Sequence, residues 1–249
     1  MKIAVTGYGK MGQITEQLAA SRGIEVVSTI DPVVKTAKFE ELNEKALGGA
    51  EVVIDFSVPD VVLLNIGKYV EYGKNAVIGT TGWYEHLDEV KEKVNKSGIG
   101  LIWSGNFSIG VNIFFRIIGH SAGLINKFPF YDVMGYELHH NRKKDSPSGT
   151  MDMIGNILLE NIKNKKKIVT EKLDRKISEE EIHLASVRGG SVPGTHVVAF
   201  DSDVDTIELK HTARSREGLA VGALEAARWI KGKKGFYNID DMMNEIIGG

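Results

Sequence analysis

The chain has 249 residues, enough for one large domain or two modest ones with a buried core. A hydrophobic share of 42% beside 26% charged residues is ordinary for a globular protein, and a formal net charge of -2 leaves no basic footprint for nucleic acid. The absence of cysteine excludes disulfides, thiolate metal sites and a cysteine nucleophile, and fits a reducing compartment.

Lys2 to Thr6 reads as a short apolar strand running into Gly7-Tyr8-Gly9-Lys10-Met11-Gly12, after which Met11, Ile14 and Leu18 fall on one helical face. Ile24 to Ile30 is a second strand, ending at Asp31-Pro32, and Glu51 to Phe56 is a third. A helical pattern follows through Val62, Ile66, Tyr69 and Val70, then a fourth strand from Asn75 to Gly79. Leu87, Val90 and Val94 mark another helix, and Ile99 to Trp103 a fifth strand. Strand and helix alternate over this part of the chain, which is the pattern of a Rossmann-like, doubly wound parallel α/β sheet.

An apolar helix-like stretch from Ile109 to Ile125 changes the rhythm. Tyr131 to His139, Ile182 to Val187, Val197 to Asp201 and Thr206 to His211 are strand-like, with one long helix from about Thr150. Several strands with few helices between them predict a mixed or antiparallel sheet in a second, α+β domain. Lys165 to Lys167, with Lys163 just before, is expected to be a solvated run ending that helix, near its negative dipole end. Lys172 to Glu181 is a charged connection. The closing helix, with Leu219, Ala223, Ala226, Ala227 and Ile230, is expected to pack back on the first domain. The expected division is 1–107 with 216–249 as a dinucleotide-binding domain, and 108–215 as a substrate-binding and tetramerisation domain.

No apolar run approaches transmembrane length, and the N-terminus opens on strand-like KIAVT, without a charged n-region followed by a long apolar run. A cytoplasmic protein without membrane or nucleic-acid partners is expected. The sequon at Asn106-Phe107-Ser108 is then a chance match.

GYGKMG matches G-x-G-x-x-G between a strand and a helix. Its glycines permit a tight turn and close approach of a pyrophosphate, whose charge sits at the helix N-terminus. Asp31 ends the next strand, where an acid hydrogen-bonds an adenosine ribose. A carboxylate there favours a free 2′-hydroxyl, and Pro32 follows where an arginine would welcome a 2′-phosphate. The expected cofactor is therefore NADH or NADPH with a preference for NADH, since Lys10 and Lys35 could supply compensating charge. Gly79-Thr80-Thr81 and Ser104-Gly105-Asn106-Phe107 also sit beyond strand ends, where open α/β sheets bind ligands.

Glu137 to Thr150, reading ELHHNRKKDSPSGT, is the densest concentration of chemistry. In a strand, His139 and His140 would point to opposite faces, which disfavours a shared metal, and no metal is expected. One histidine could serve in proton transfer and the other in anion binding, with Lys143 in the same polar loop. Ser148-Gly149-Thr150 precedes a helix, so a hydroxyl here is an N-cap candidate. Exposed amides at that helix start could also bind a carboxylate.

The ordered motifs GYGKMG, VIDFSVP, VIGTTGW, SGNFSIGVN, ELHHNRKKDSPSGT, SVRGGSVPGTH and HTARSR cover essentially the whole chain. With them the chain resembles the 4-hydroxy-tetrahydrodipicolinate (dihydrodipicolinate) reductase family of lysine and diaminopimelate synthesis. The resemblance implies that His139 is the general acid/base and Lys143 the proton donor. It implies that His140, Ser148, Gly149 and Thr150 hold a small dicarboxylate substrate. Gly7, Tyr8, Gly9, Lys10, Met11, Gly12, Asp31, Gly79, Thr80, Thr81, Ser104, Gly105, Asn106 and Phe107 would line the nicotinamide cofactor. A homotetramer assembled through the second domain's sheet is also implied. The glycine turn is one residue shorter than the family's commoner form, and Lys10 replaces its usual arginine. Two other readings are another two-domain NAD-dependent dehydrogenase of amino-acid metabolism and a non-catalytic dinucleotide sensor. The first has no reason to carry HHxxKxDxPSGT, and retention of both His139 and Lys143 argues against the second.

Overall fold

The structure, a computed structural model, describes Met1–Gly248. In chain order the elements are β1 (Lys2–Thr6), α1 (Lys10–Ala19), β2 (Glu25–Ile30), α2 (Glu44–Leu47), β3 (Val52–Asp55), α3 (Pro59–Glu71), β4 (Asn75–Ile78), α4 (Leu87–Ser97) and β5 (Gly100–Trp103). Then come α5 (Ile109–Ile125), β6 (Asp132–His139), α6 (Gly149–Asn161), β7 (Lys167–Val169), β8 (Glu181–Arg188), β9 (Thr195–Asp201) and β10 (Thr206–Thr212). The chain closes with α7 (Glu217–Ile230), β11 (Gly235–Asn238) and α8 (Ile239–Ile247). It divides into two compact units, Met1–Ile109 with Arg216–Gly249, and Gly110–Ser215.

The first unit holds a six-stranded sheet in the order β11-β5-β4-β3-β1-β2, every neighbouring pair parallel. Its central strands are mostly apolar because both faces are covered. Ile3, Val5, Val52, Ile54, Val77 and Ile102 point into one core with Ala223, Leu224 and Ile230 of α7. The residues between them, Ala4, Val53, Ala76, Ile78 and Leu101, point into the other with Leu47, Val62, Ile66, Val90 and Val94. Each aliphatic side chain so enclosed contributes about 1.5–3 kcal/mol.

Two details differ from the sequence reading. The buried face of α1 is Gly12, Thr15 and Ala19, with Met11, Ile14 and Leu18 only partly covered. α1 packs on α7, whose buried positions include Ala220, Gly222, Ala223, Ala226 and Ala227, and helices this close are met by small side chains. The sheet also gains β11, a four-residue edge strand, Gly-Phe-Tyr-Asn, without the β-branched residues that mark its neighbours. A capping box of Asn238 and Asp241 then starts α8.

The second unit holds a mixed five-stranded sheet, β10-β9-β6-β8-β7. β9 runs antiparallel to both β10 and β6, while β6, β8 and β7 are mutually parallel. Val133, Leu184, Val198 and Phe200 from the sheet meet Phe114 and Ile118 of α5 and Ile154 and Leu158 of α6 in one core. Burial alternates strictly along β6, so Glu137 and His139 face the same way as Val133.

Lys165 corrects the expected solvated lysine run. α6 ends at Asn161, and the chain carries Lys165 inward, where its ammonium pairs with Asp132 and donates to the carbonyls of Glu179 (2.7 Å) and Glu181 (3.1 Å). A buried ammonium is tolerable only with such acceptors. The charged connection is likewise tied down, because a two-pronged bond from Arg175, helped by the Ser178 amide, holds Glu181 down to about 2. Among the described residues, no helix is long and apolar enough to cross a membrane.

Candidate active site

In the first unit the glycine turn joins β1 to α1. Gly7 has a φ of 79°, and a Cβ there would lie 2.4 Å from the carbonyl carbon of Phe56. A Cβ on Gly12 would lie 2.4 Å from the carbonyl oxygen of Gly7, so the turn closes on itself. Gly9 is different: nothing lies within 4 Å of its Cβ position, and it is the N-cap of α1 without any side-chain cap. Open space over an uncapped helix start, with no acid in the first turn, suits a phosphate group.

Asp31 stands at the end of β2. One carboxylate oxygen accepts the amides of Val33 (2.8 Å) and Val34 (2.9 Å), and the other accepts the amide of Tyr8 (2.9 Å). A carboxylate offers about four acceptor positions, so room remains on the second oxygen for one more donor. The acid is therefore fixed against the glycine turn. Lys35 is paired with Glu40 at 3.1 Å, whereas Lys10 is exposed. The Tyr8 phenol donates to Glu16, which with burial pushes it up to about 12.

Gly79-Thr80-Thr81 leaves β4, and Ser104-Gly105-Asn106-Phe107 leaves β5. Phe107 is buried in the core, so only its backbone can face a ligand. The Ser104 hydroxyl accepts the Asn106 amide at 3.0 Å, and the Asn106 side chain accepts the Ser108 amide at 2.9 Å. Beneath these exits lies Asp55, missed by the sequence reading and fully buried at the end of β3. It accepts from the Ser57 amide (2.8 Å), Asn65 (3.1 Å), the Tyr69 phenol (2.7 Å) and Thr80 (3.2 Å). Burial, then the Asp55 charge, pushes the Tyr69 phenol well up.

In the second unit the centre is Glu137, also fully buried. Its Oε1 accepts the Ser148 amide (3.0 Å), the Ser186 hydroxyl (2.8 Å) and an Arg188 Nη2 hydrogen (2.6 Å). Its Oε2 accepts the Ser148 hydroxyl and lies 3.3 Å from His139 Nε2 and 3.4 Å from His196 Nε2. His139 shares the inward face of β6 by two-residue spacing, and His196 on β9 is directly opposite Glu137. Burial pushes the Glu137 carboxyl up, but bonds from His196, Ser148, Arg188 and Ser186 outweigh it and hold the group far below the usual range. Burial holds His139 below the ordinary imidazole value against the opposing pull of Glu137, with His196, Lys143 and Arg188 adding to the lowering.

Ser148 is the N-cap of α6, accepting the Met151 amide at 3.2 Å, and Gly149 leaves open space at the helix start, followed by half-buried Thr150. Lys143 is held by both oxygens of Asp145, at 2.9 and 2.8 Å, and Arg188 donates to the Asp145 carbonyl at 2.7 Å. His140 lies just past β6, its ring centre 6.5 Å from that of His139 and turned by 87°. The two histidines thus occupy different settings, one buried on the carboxylate and one half-buried at the loop.

Glu137, His139 and His196 also bring three ligand-type atoms within 4.8 Å of one another, a grouping the sequence reading missed. The E-x-H spacing on a strand was its only local signal. Both carboxylate oxygens already accept protein donors, and the Arg188 guanidinium opposes a second cation beside them. The cluster is a hydrogen-bonded ion-pair hub.

Residues 1–107 match the family description "Dihydrodipicolinate reductase, N-terminus", and residues 110–243 match "Dihydrodipicolinate reductase, C-terminus". The chain belongs to the dihydrodipicolinate reductase family. A relative from Christiangramia forsetii, a 4-hydroxy-tetrahydrodipicolinate reductase, is 36% identical over 99% of this chain and 99% of its own. One of the same name from Archaeoglobus fulgidus is 37% identical over 98% of this chain and 100% of its own. In fold the chain is similar to a dipicolinate-bound dihydrodipicolinate reductase from Paenisporosarcina sp. TG-14, with a TM-score of 0.79 at 22% identity over 97% and 99% of the two chains. The Rossmann-like parallel sheet and the second, mixed sheet are thus the architecture of this reductase family.

Proposed function

We propose that the protein catalyses the NAD(P)H-dependent reduction of 4-hydroxy-tetrahydrodipicolinate, by way of dihydrodipicolinate, to tetrahydrodipicolinate in lysine and diaminopimelate synthesis. The observation that carries this reading is the two-part family match over nearly the whole chain. The roles of individual residues are those the family resemblance implies, and their surroundings in the structure suit them.

Residues 1–107 with 216–249 hold the dinucleotide, and 108–215 hold the substrate. The open N-terminus of α1 over Gly9 fits a pyrophosphate, with Gly7 to Gly12, Gly79 to Thr81 and Ser104 to Phe107 as its rim. The spare acceptor position on Asp31 fits a ribose hydroxyl and disfavours a 2′-phosphate, so NADH is preferred over NADPH. When bound, the nicotinamide supplies a hydride.

The protein's own groups do the rest. His140, Ser148, Gly149 and Thr150 hold the substrate carboxylates, the α6 N-terminus contributing backbone donors. Lys143 exchanges Asp145 for a substrate carboxylate and delivers the proton that completes the reduction, while His139 maintains that supply at neutral pH. The protein acts in the cytoplasm as a homotetramer joined through the second unit's sheet, whose outer face leaves Met134, Tyr136 and Val187 exposed.

The test is oxidation of NADH and of NADPH by purified protein with freshly made condensate of pyruvate and aspartate semialdehyde. Condensate-dependent oxidation, faster with NADH, is expected. Dinucleotide binding without turnover would instead favour a sensor.

A further inference from the structure

The Glu137 hub reaches further than the acid/base pair it supports. Its oxygens are unequal. Oε1 is saturated by three donors, the Ser148 amide, the Ser186 hydroxyl and Arg188. Oε2 takes the Ser148 hydroxyl and the His196 ring, whose Nε2 lies at 3.4 Å, and faces His139 Nε2 at 3.3 Å. Nε2 of His139 is enclosed and has no hydrogen-bonding partner, since its approach to Oε2 is off the line of a proper bond. A small turn of the ring would supply one. His196 has a second partner for its Nε2, the Ser148 hydroxyl at 3.2 Å, so its hold on Oε2 is shared and the oxygen keeps room for His139.

We propose that Glu137 is the positioning residue for His139: its Oε2 is the acceptor that fixes the Nε2–H tautomer, so that Nδ1 is the nitrogen that exchanges the proton. This rests on the reading of His139 as the acid/base group. The same carboxylate holds the amide and hydroxyl of Ser148, the cap of the anion-binding helix, so one buried side chain sets both halves of the site. Arg188 extends the link to the Asp145 carbonyl, and hence to the loop that carries Lys143.

The charged surroundings are explicit. On its own strand His139 faces Glu137; from β8 comes Arg188, from β9 His196, and from the following loop Lys143. His196 in turn acts on His211 of β10, and Glu137 on Asp152 of α6. Of the groups acting directly on His139, Glu137 alone favours its charged form.

Glu137→Gln has a defined outcome. Three donors crowd the Oε1 position, so the amide oxygen must sit there and the NH2 must take the Oε2 position, facing His139 Nε2. That NH2 can only donate. His139 is then driven to the Nδ1–H tautomer, and its titration moves to lower pH by about one unit or more.

The experiment reads the long-range nitrogen–proton NMR pattern of His139 in the wild type and in Glu137→Gln, without cofactor or substrate. The expected result is Nε2–H above the titration in the wild type, Nδ1–H in the variant, and a lowered titration. kcat of the variant falls about 10- to 1000-fold, with KM changing less. An Nδ1–H wild type overturns the proposal whether or not the variant folds. So does a variant with unchanged tautomer and titration. The NMR result is independent of turnover: if His139→Ala proves fully active, the acid/base role fails while the Glu137–His139 relation is still decided by the spectra.

Discussion

Each unit of the molecule buries one carboxylate at the exit of a strand, and the two are wired differently. Asp55 in the first unit is surrounded by neutral donors: an amide, a carboxamide, a phenol and a hydroxyl. Glu137 in the second faces a guanidinium and two imidazoles as well as hydroxyls. Neutral partners fix a position and leave nothing to exchange with substrate. Titratable partners let the carboxylate set the charge of its neighbours. The Asp55 network shapes the strand exits, and under our proposal the Glu137 network sets the chemistry of His139.

The comparison breaks most visibly at the proposed acid/base pair. His139→Ala and Lys143→Ala are each expected to lower kcat by about 100-fold or more, with dinucleotide affinity unchanged. Steady-state kinetics and NADH titration check this, and near-normal turnover in both variants contradicts the assigned roles.

The glycine turn separates folding from binding within the first unit. Gly12→Ala forces a methyl against the Gly7 carbonyl oxygen, a position 2.4 Å away, and should cost about 1–3 kcal/mol of stability. Gly9→Ala meets no protein atom within 4 Å, so its thermal midpoint should hold while Kd for NADH rises. Equal thermal losses would undo the distinction.

The pH dependence of stability sharpens the picture of the second unit. Burial holds His139 and His211 below the ordinary imidazole value, so both bind fewer protons folded than unfolded. Their contribution is complete above about pH 6.5 and is lost as pH falls from there towards the folded values. The depressed Glu137 adds a further loss below its ordinary value of 4.5, as pH approaches its folded value. Denaturant midpoints between about pH 7.5 and 5.5 should fall with acid, and a flat series contradicts this assignment.

Tyr69→Phe removes one donor from Asp55 and should cost about 1 kcal/mol in a denaturant titration, with kcat and its pH profile unmoved. A shifted profile would make Asp55 more than structural. The smallest expected effect is at Asp31→Ala, where the ratio of Kd for NADPH to Kd for NADH should decrease. An unchanged ratio would remove Asp31 from cofactor selection.

What the sequence disclosed follows the reach of each signal. The alternation of strands and helices, the glycine turn and the Ser148 cap are local, and each was legible from neighbouring residues. The Glu137 hub was not, because Ser186 and Arg188 lie 49 and 51 residues downstream and meet it only when β8 pairs with β6. Lys165 misled for a related reason: a lysine after an amphipathic helix is usually solvated, and its acceptors Asp132, Glu179 and Glu181 come from elsewhere in the unit. β7, at three residues, was too short to show a period, and β11, Gly-Phe-Tyr-Asn, lacks the β-branched residues that marked the equally short β3 and β4.

The most direct measurement follows reduced nicotinamide after addition of freshly made pyruvate–aspartate semialdehyde condensate, in the wild type and in a His139→Ala/Lys143→Ala double variant. The predicted result is condensate-dependent oxidation by the wild type and none above background in the double variant, which still binds NADH. No oxidation of NADH or NADPH by the wild type, or undiminished oxidation by the double variant, would contradict the account.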